Sequence, residues 1–289
     1  MKGIILAGGT GSRLWPATSV VSKQLMPIFD KPMIYYPLST LMLAGINEIL
    51  IITTPLDQSL FKALLGDGTA LGIKIKYEIQ NSPDGLAQSL LIGEVFLDGD
   101  SCLLILGDNI FHGAGLGHEL INILPQEGCH IFTYEVANPE NYGVLTLDKN
   151  QMPLSIVEKP INPDSNLAVT GLYFFDRRAS QFTREIKPSQ RGELEITSLI
   201  EIYLQRQELT FTKLTRGTAW LDTGNAKSMH DASTYVRVVE ERTGLKIGCI
   251  EEIAWRNKWI DSKDLVLLSR KMKENQYSEY LERLAQTQP

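Results

Sequence analysis

KGIILAGGTGSR, residues Lys2–Arg13, is the stretch from which the fold can be read. A short apolar, β-branched run, Lys2–Leu6, gives way to three glycines and then to a cation. That is how a buried parallel strand delivers its carboxyl end to a functional loop. The same rhythm recurs downstream. Glu48–Thr53 (EILIIT), Ile73–Ile79 and Ser101–Leu106 (SCLLIL) read as strands. Ile34–Ala44, Ser59–Leu65 and Leu86–Phe96 read as helices between them, with Gly45 and Gly66 as stops for the first two. Alternating strands and helices predict a parallel α/β sheet with right-handed crossovers. Ligands of such sheets bind outside the carboxyl ends of the strands, so the residues after Leu6 and after Leu106 are the first places to look for chemistry.

After about Ile131 the rhythm changes. Ile131–Val136, Tyr142–Leu147, Ser155–Glu158 and Ala168–Phe175 read as strands with few helices between them, a mixed or antiparallel extension able to fold over a ligand. Glu195–Gln205 returns to helix. Ala226–Thr243 is a longer one, with Met229, Ala232, Val236 and Val239 at helical spacing and Gly244 as its stop. The charged stretch Lys263–Gln286 reads as helical. No repeat, low-complexity run or linker marks a second independent domain.

Composition narrows the function. The 289 residues carry 28 basic and 34 acidic side chains, a net charge of −6. Proteins that bind duplexes need a basic excess to displace counterions, so nucleic acid is not an expected partner. No apolar run approaches the ~18 residues of a membrane span, and Met1–Ala7 reads as a strand rather than a signal peptide. Cys102, Cys129 and Cys249 are scattered and odd in number, with no metal spacing. They fit buried, reduced thiols of a cytoplasmic protein.

Gly8-Gly9-Thr10-Gly11-Ser12 can point several backbone N–H groups at one phosphate. It matches neither familiar phosphate loop: no Lys-Ser or Lys-Thr pair follows at P-loop spacing, and Leu14 fills the third glycine position of a dinucleotide fingerprint. Arg13 follows directly and Lys23 a little later, two cations that suit phosphate oxygens. The alternative is a plain glycine turn with surface cations.

Asp108 ends a buried strand, and Asp222 lies in Trp220-Leu221-Asp222-Thr223-Gly224. Brought together with a triphosphate, two carboxylates suffice for Mg²⁺. Taken singly, each also reads as a cap or turn residue. Gln80 and Gly85 flank a Pro-Asp-Gly turn that opens a helix, where amides can read a base edge. Glu158 suits sugar hydroxyls and Lys159 a phosphate, or the two form a surface ion pair. Gly171 inside a strand marks close approach of a ligand, and Arg191 sits in a turn. His112, His118, His130 and His230 show no catalytic or metal spacing. Trp255 and Trp259 read as core or interface.

Seven motifs then occur in order over nearly the whole chain: GGTGSRL with SKQLMP, GLAQ from Gly85, GDNIF from Gly107, VEKP from Val157, VTGLY from Val169, RGELEIT from Arg191 and WLDTG from Trp220. Together they resemble the sugar nucleotidyltransferases, and the run Lys23–Leu38 (KQLMPIFDKPMIYYPL) resembles the thymidylyltransferase branch that acts on glucose 1-phosphate. Trp15 and His112 depart from that pattern, each standing where tyrosine is common.

The resemblance implies a Rossmann-like three-layer mixed sheet as one domain. Residues 1–130 would be mainly nucleotide-binding, 131–225 mainly sugar-binding and 226–289 a helical part. It implies thymidylyl transfer from dTTP to α-D-glucose 1-phosphate with Mg²⁺. Gly8, Gly9, Gly11, Ser12, Arg13, Lys23 and Gln24 would hold the nucleotide, with Gln80 and Gly85 at the base. Gly143, Glu158 and Val169 would hold the sugar, Lys159 and Arg191 its phosphate, and Asp108 and Asp222 the metal. Arg13, Lys23, Asp108, Lys159 and Asp222 form the expected catalytic set. A homotetramer and a dTDP-sugar effector are further implications, the effector near Gly113–His118 and Glu251–Arg256. Rival readings are a uridylyltransferase, against which Gln24 speaks because a Lys-Glu pair is usual there; a silent nucleotide-sugar sensor; and a dinucleotide oxidoreductase.

Overall fold

The computed structural model describes residues 1–9, 11–123 and 127–288, so Thr10 of the glycine loop lies outside the described residues. The strands run in chain order as β1 (Lys2–Ala7), β2 (Pro27–Ile28), β3 (Lys31–Pro32), β4 (Glu48–Thr53), β5 (Lys74–Ile79), β6 (Cys102–Leu106) and β7 (Asn109–His112). They continue as β8 (Cys129–Glu135), β9 (Gly143–Leu147), β10 (Pro153–Glu158), β11 (Leu167–Phe175), β12 (Leu209–Lys213) and β13 (Ala219–Asp222).

One nine-stranded sheet has the order β10-β9-β11-β6-β1-β4-β5, with β8 on the other flank of β11 and β12 beyond it. β6, β1, β4 and β5 are parallel, as the strand–helix rhythm predicts. β11 enters antiparallel to β6, which starts the mixed half. Side chains alternate between two buried faces. Ile4, Leu6, Leu50, Ile52 and Leu104 pack with Leu90, Leu199 and Ile200 on one side. Ile5, Ala7, Ile49, Ile51, Leu103 and Ile105 pack with Leu38, Leu41 and Trp255 on the other. Helices cover both faces, giving three layers, and this is why the strands read as continuous apolar runs rather than alternating ones.

Two sequence expectations change. The helix expected over Leu86–Phe96 is two short ones, Gln88–Ile92 and Glu94–Leu97, meeting at Gly93. A Cβ at Gly93 would lie 2.8 Å from Ile4 Cδ1, so the glycine lets this segment rest directly on β1. The helical stretch Lys263–Gln286 is two helices, Ser262–Lys271 and Gln276–Ala285, each begun by a capping box, at Asp261 and at Asn275. β7, β12, β13 and the helices Leu116–Ile123 and Ile250–Arg256 carry too short a periodic signal to be read in advance. Among the described residues no helix is long and apolar enough to cross a membrane.

Two features place the ligand-binding edge. β6 pairs with β11 over Leu172–Phe175, while the start of β11, Leu167–Ala168, pairs with β9 instead. The β9–β10 hairpin therefore stands beyond the carboxyl end of β6. β7 and β13 form a separate antiparallel pair at the same edge, with Asn109 opposite Asp222 and Phe111 opposite Trp220.

Candidate active site

The strand ends and the β9–β10 hairpin enclose a cavity of about 370 Å³. Gly9, Gly11, Ser12, Arg13, Lys23, Gln24, Gln80, Gly85, Asp108, Gly143, Glu158, Lys159, Val169, Arg191 and Asp222 all line it. The chain thus brings together side chains more than 200 positions apart, such as Arg13 and Asp222, that the sequence alone could only list. Gly8 is the exception. It does not itself line the cavity, and a Cβ there would fall 2.4 Å from Oε1 of Gln80, which does.

The β7–β13 ladder brings the two aspartates together. Asp108 precedes β7 and Asp222 ends β13; the Thr223 N–H and hydroxyl both donate to the Asp108 carbonyl, at 3.1 and 2.7 Å. The Lys23 ammonium pairs with Asp108 Oδ2, and Asn109 Nδ2 donates to Asp108 Oδ1 at 3.0 Å. Burial opposes ionisation of Asp108, but Lys23, with the hydrogen bonds from Lys23 and Asn109, holds its carboxyl below the usual range. Asp222 behaves oppositely. Burial and the negative charge of Asp108 push its pKa up to about 6, against the pull of Lys23 and Arg13. Two carboxylates kept apart in this way are short of positive charge.

That shortage is the test of fit for a divalent cation. Among the described residues no group of three His, Cys, Asp or Glu side chains stands together. Two carboxylates alone do not make a protein cage, but they match a cation that takes its other ligands from phosphate oxygens and water. Arg13 completes the positive side. Gly224 leaves it room: a Cβ there would lie 3.2 Å from both an Arg13 guanidinium nitrogen and Asp222 Oδ1.

Asn109 is the hub that sequence reading missed. It is 2% exposed. Its Oδ1 accepts the Trp220 indole N–H at 2.6 Å and the Gly171 N–H at 3.2 Å, while its Nδ2 holds Asp108. The expectation that Gly171 marks the approach of a ligand is corrected in part. A Cβ at Gly171 would fall 2.5 Å from Asn109 Oδ1, so the side chain that comes close is Asn109, although Gly171 also lines the cavity.

At one end of the cavity, Gln80 donates to Gln88 and to the Gly85 carbonyl. Gly85 has φ +113°, and a Cβ would collide with Leu194 N and O at 2.4 Å. The backbone bonds Leu194 N–H to Asp84 O (2.7 Å) and Ala87 N–H to Leu194 O (3.1 Å) demand that approach. Lys23 and Gln24 lie in a 3₁₀ turn, both buried, with Gln24 Oε1 accepting the Ser22 hydroxyl at 2.7 Å.

At the hairpin end, Gly143 and Glu158 are register partners. The Thr197 hydroxyl donates to Glu158 Oε2 at 3.3 Å. Lys159 adopts φ +43°, strained for a side-chain residue, and its N–H is pinned to the Tyr142 carbonyl at 2.9 Å. Arg191 is held by buried Glu195 through Nε (3.2 Å) and a terminal nitrogen (2.8 Å), which also raises its pKa. Glu195, Thr197 and Tyr173 are lining residues the sequence reading did not assign. Tyr173 follows Gly171 within the VTGLY run, and the other two lie inside RGELEIT, so order along the motif was the available signal.

His112 pairs with the Tyr235 hydroxyl and His130 with Thr210 and Thr212. Trp255 is core, with Trp259 packed against the same cluster. A second cavity, of about 380 Å³, gathers Gly113, Gly115–His118, Glu252, Ile253 and Arg256, so the two segments expected around an effector do meet.

A family model described as nucleotidyl transferase matches residues 2–238, and the chain belongs to that family. Within it, relatives similar over nearly the full length are described as glucose-1-phosphate thymidylyltransferases. That of Neisseria meningitidis is 54% identical over 98% of this chain and 99% of its own length. That of Xanthomonas campestris is 53% identical over 98% and 97%, and that of Mycobacterium tuberculosis 52% over 97% and 98%. A crystal structure from Bacillus anthracis, of a protein provisionally described as a glucose-1-phosphate thymidylyltransferase and bound to sucrose, superposes with a TM-score of 0.76. It is 38% identical and covers 82% of this chain and 95% of its own.

Proposed function

We propose that the protein transfers a thymidylyl group from dTTP to α-D-glucose 1-phosphate, giving dTDP-glucose and pyrophosphate. The observation that carries this reading is that the β7–β13 ladder, with Asp222 opposite Asn109, sets Asp222 in the field of Asp108, with Lys23 and Arg13 beside them at the carboxyl ends of β1 and β6. A phosphate oxygen of the sugar phosphate attacks the α-phosphorus of dTTP in line, and the bond to the β-phosphate oxygen breaks. No protein nucleophile is needed; alignment and charge stabilisation supply the rate.

Each residue has a part. The backbone of Gly9, Gly11 and Ser12 cradles the triphosphate, with Gly8 supporting Gln80 from behind. Arg13 takes charge developing on pyrophosphate, and Lys23, buried and 85 positions from its partner Asp108, neutralises the triphosphate. Gln80 and Gly85 face thymine, with Gln24 nearby. Gly143, Glu158 and Val169 hold glucose; Lys159 and Arg191 hold its phosphate. Asp108 and Asp222 would hold Mg²⁺, which when bound screens the two phosphates from each other.

The second cavity suits a dTDP-sugar effector, since His118, Lys246 and Arg256 offer cationic or hydrogen-bonding groups to a diphosphate. β7 runs from Asn109 at the first cavity to Phe111 and His112 at the second. The same reading carries a homotetramer, to be checked by light scattering.

The test is pyrophosphate release with Mg²⁺ and α-D-glucose 1-phosphate, comparing dTTP, UTP, ATP, CTP and GTP. Release is expected to be strongest with dTTP. Preference for UTP would overturn the base assignment, and no release with any of the five would overturn the activity.

A further inference from the structure

At the base end of the cavity three side chains form a chain with a fixed polarity. Gln80 Nε2 donates to Gln88 Oε1 at 2.6 Å and to the Gly85 carbonyl at 3.3 Å. Gln88 Nε2 donates in turn to Asp84 Oδ2 at 2.9 Å, and that oxygen also takes the Ser82 hydroxyl. Carboxylate and carbonyl oxygens can only accept. Asp84 therefore fixes which way the Gln88 amide points, Gln88 fixes Gln80, and the Gly85 carbonyl independently demands the same orientation. The amide nitrogen of Gln80 is committed to residues 85–88. Its oxygen is left facing the loop after β1, at the place a Gly8 Cβ would occupy. Among the described residues that oxygen accepts no hydrogen bond, and Gln80, 5% exposed, lines the cavity.

We propose that Gln88, which does not itself line the cavity, is a positioning residue for base selection. By fixing the amide of Gln80, it presents a hydrogen-bond acceptor to the base. This rests on the reading above that Gln80 faces the base. A fixed acceptor favours a base whose pairing edge offers an N–H at that point. Thymine and uracil carry N3–H. Cytosine carries a bare N3 lone pair there, which would set two acceptors face to face, and a buried acceptor left without a donor is costly. The device selects diketo pyrimidines over cytosine and is indifferent to the thymine methyl group.

The test compares kcat/KM for dTTP and dCTP in the wild type, Gln88→Met, the double variant Gln88→Glu with Asp84→Asn, and Gln80→Met, with affinities for dTDP and dCDP by calorimetry where dCTP turnover is below detection. Gln88→Met keeps the length and bulk of the side chain but removes the amide. It is expected to lower the dTTP-to-dCTP ratio by about tenfold, the scale of one mis-set hydrogen bond, while KM for glucose 1-phosphate stays unchanged. Gln88→Glu combined with Asp84→Asn keeps an oxygen at position 88 that only accepts from Gln80 and moves the donor to position 84, so the double variant is expected to retain the wild-type ratio, which a merely space-filling role would not predict. If Gln80→Met collapses the ratio while Gln88→Met leaves it intact, the positioning role is refuted and the base reading survives. If neither variant moves the ratio, the base reading at Gln80 fails, and this inference with it. Equal loss of dTTP and dCTP activity in Gln88→Met, with a raised KM for glucose 1-phosphate, would show a general structural role and also refute it.

Discussion

Replacing Asp222 by asparagine should make the metal-free protein more stable while removing its activity. Burial and the neighbouring Asp108 raise the Asp222 pKa from 3.8 to about 6. A carboxyl with a raised pKa in the fold is more easily protonated there than in the unfolded chain. Its penalty is therefore absent below the unfolded value, grows as pH climbs through the window from about 4 to 6, and is complete above it. At about 1.36 kcal/mol per pH unit, the full cost is about 3 kcal/mol at pH 7.5 and about half of that at pH 5. An asparagine side chain has the same shape and no charge, so Asp222→Asn recovers that cost. With an unfolding entropy of about 2.1 cal/mol/K per residue, 3 kcal/mol corresponds to a rise of about 5 °C in Tm. The assay is thermal unfolding in EDTA at low salt, at pH 7.5 and again at pH 5. The gain should be clear at the higher pH and roughly halved at the lower. Addition of Mg²⁺ and dTTP should then raise the Tm of the wild type more than that of the variant, because ligands stabilise in proportion to their affinity. A variant that melts at or below the wild-type temperature at pH 7.5, or a gain that does not shrink at pH 5, would refute the argument that the two carboxylates repel each other.

Asn109→Asp keeps the acceptor for Trp220 and Gly171 but removes the donor to Asp108 and adds a third buried carboxylate. We expect a loss of about 2–4 kcal/mol at pH 7.5, partly restored at pH 5, read by denaturant unfolding. Glu195→Gln weakens the grip on Arg191. KM for glucose 1-phosphate should rise on the order of tenfold with KM for dTTP unchanged, in initial-rate kinetics with each substrate varied; equal rises in both would show that the effect is not confined to the sugar-phosphate end.

Much of this protein is legible locally. The helix read over Ala226–Thr243 is found with those bounds, because the Asn225 capping box and Gly244 at φ +69° are encoded beside it. The strands at Lys2, Glu48 and Ser101 are recognisable because burial on both faces leaves them uniformly apolar. The break at Gly93 and the restart at Asn275 were missed for the opposite reason. The first depends on contact with Ile4, and the second lies in a stretch whose charge pattern runs on unbroken.

The site divides in the same way. The chain by itself put forward most of the side chains that line the cavity, since glycines, cations, amides and carboxylates at strand ends declare their chemistry without neighbours, but it did not put forward Asn109, Glu195, Thr197 or Tyr173. Tertiary structure alone decided that Asp108 and Asp222 share one electrostatic environment, that Asn109 ties them to Trp220 and Gly171, and that Gln88 points Gln80. β7 and β13 are four residues each, too short for a periodic signal, and they pair across more than a hundred positions. Charge repulsion, amide orientation and desolvation depend on distances of a few ångströms. Those distances are fixed by packing between segments remote in sequence, so no local pattern of residues can carry them.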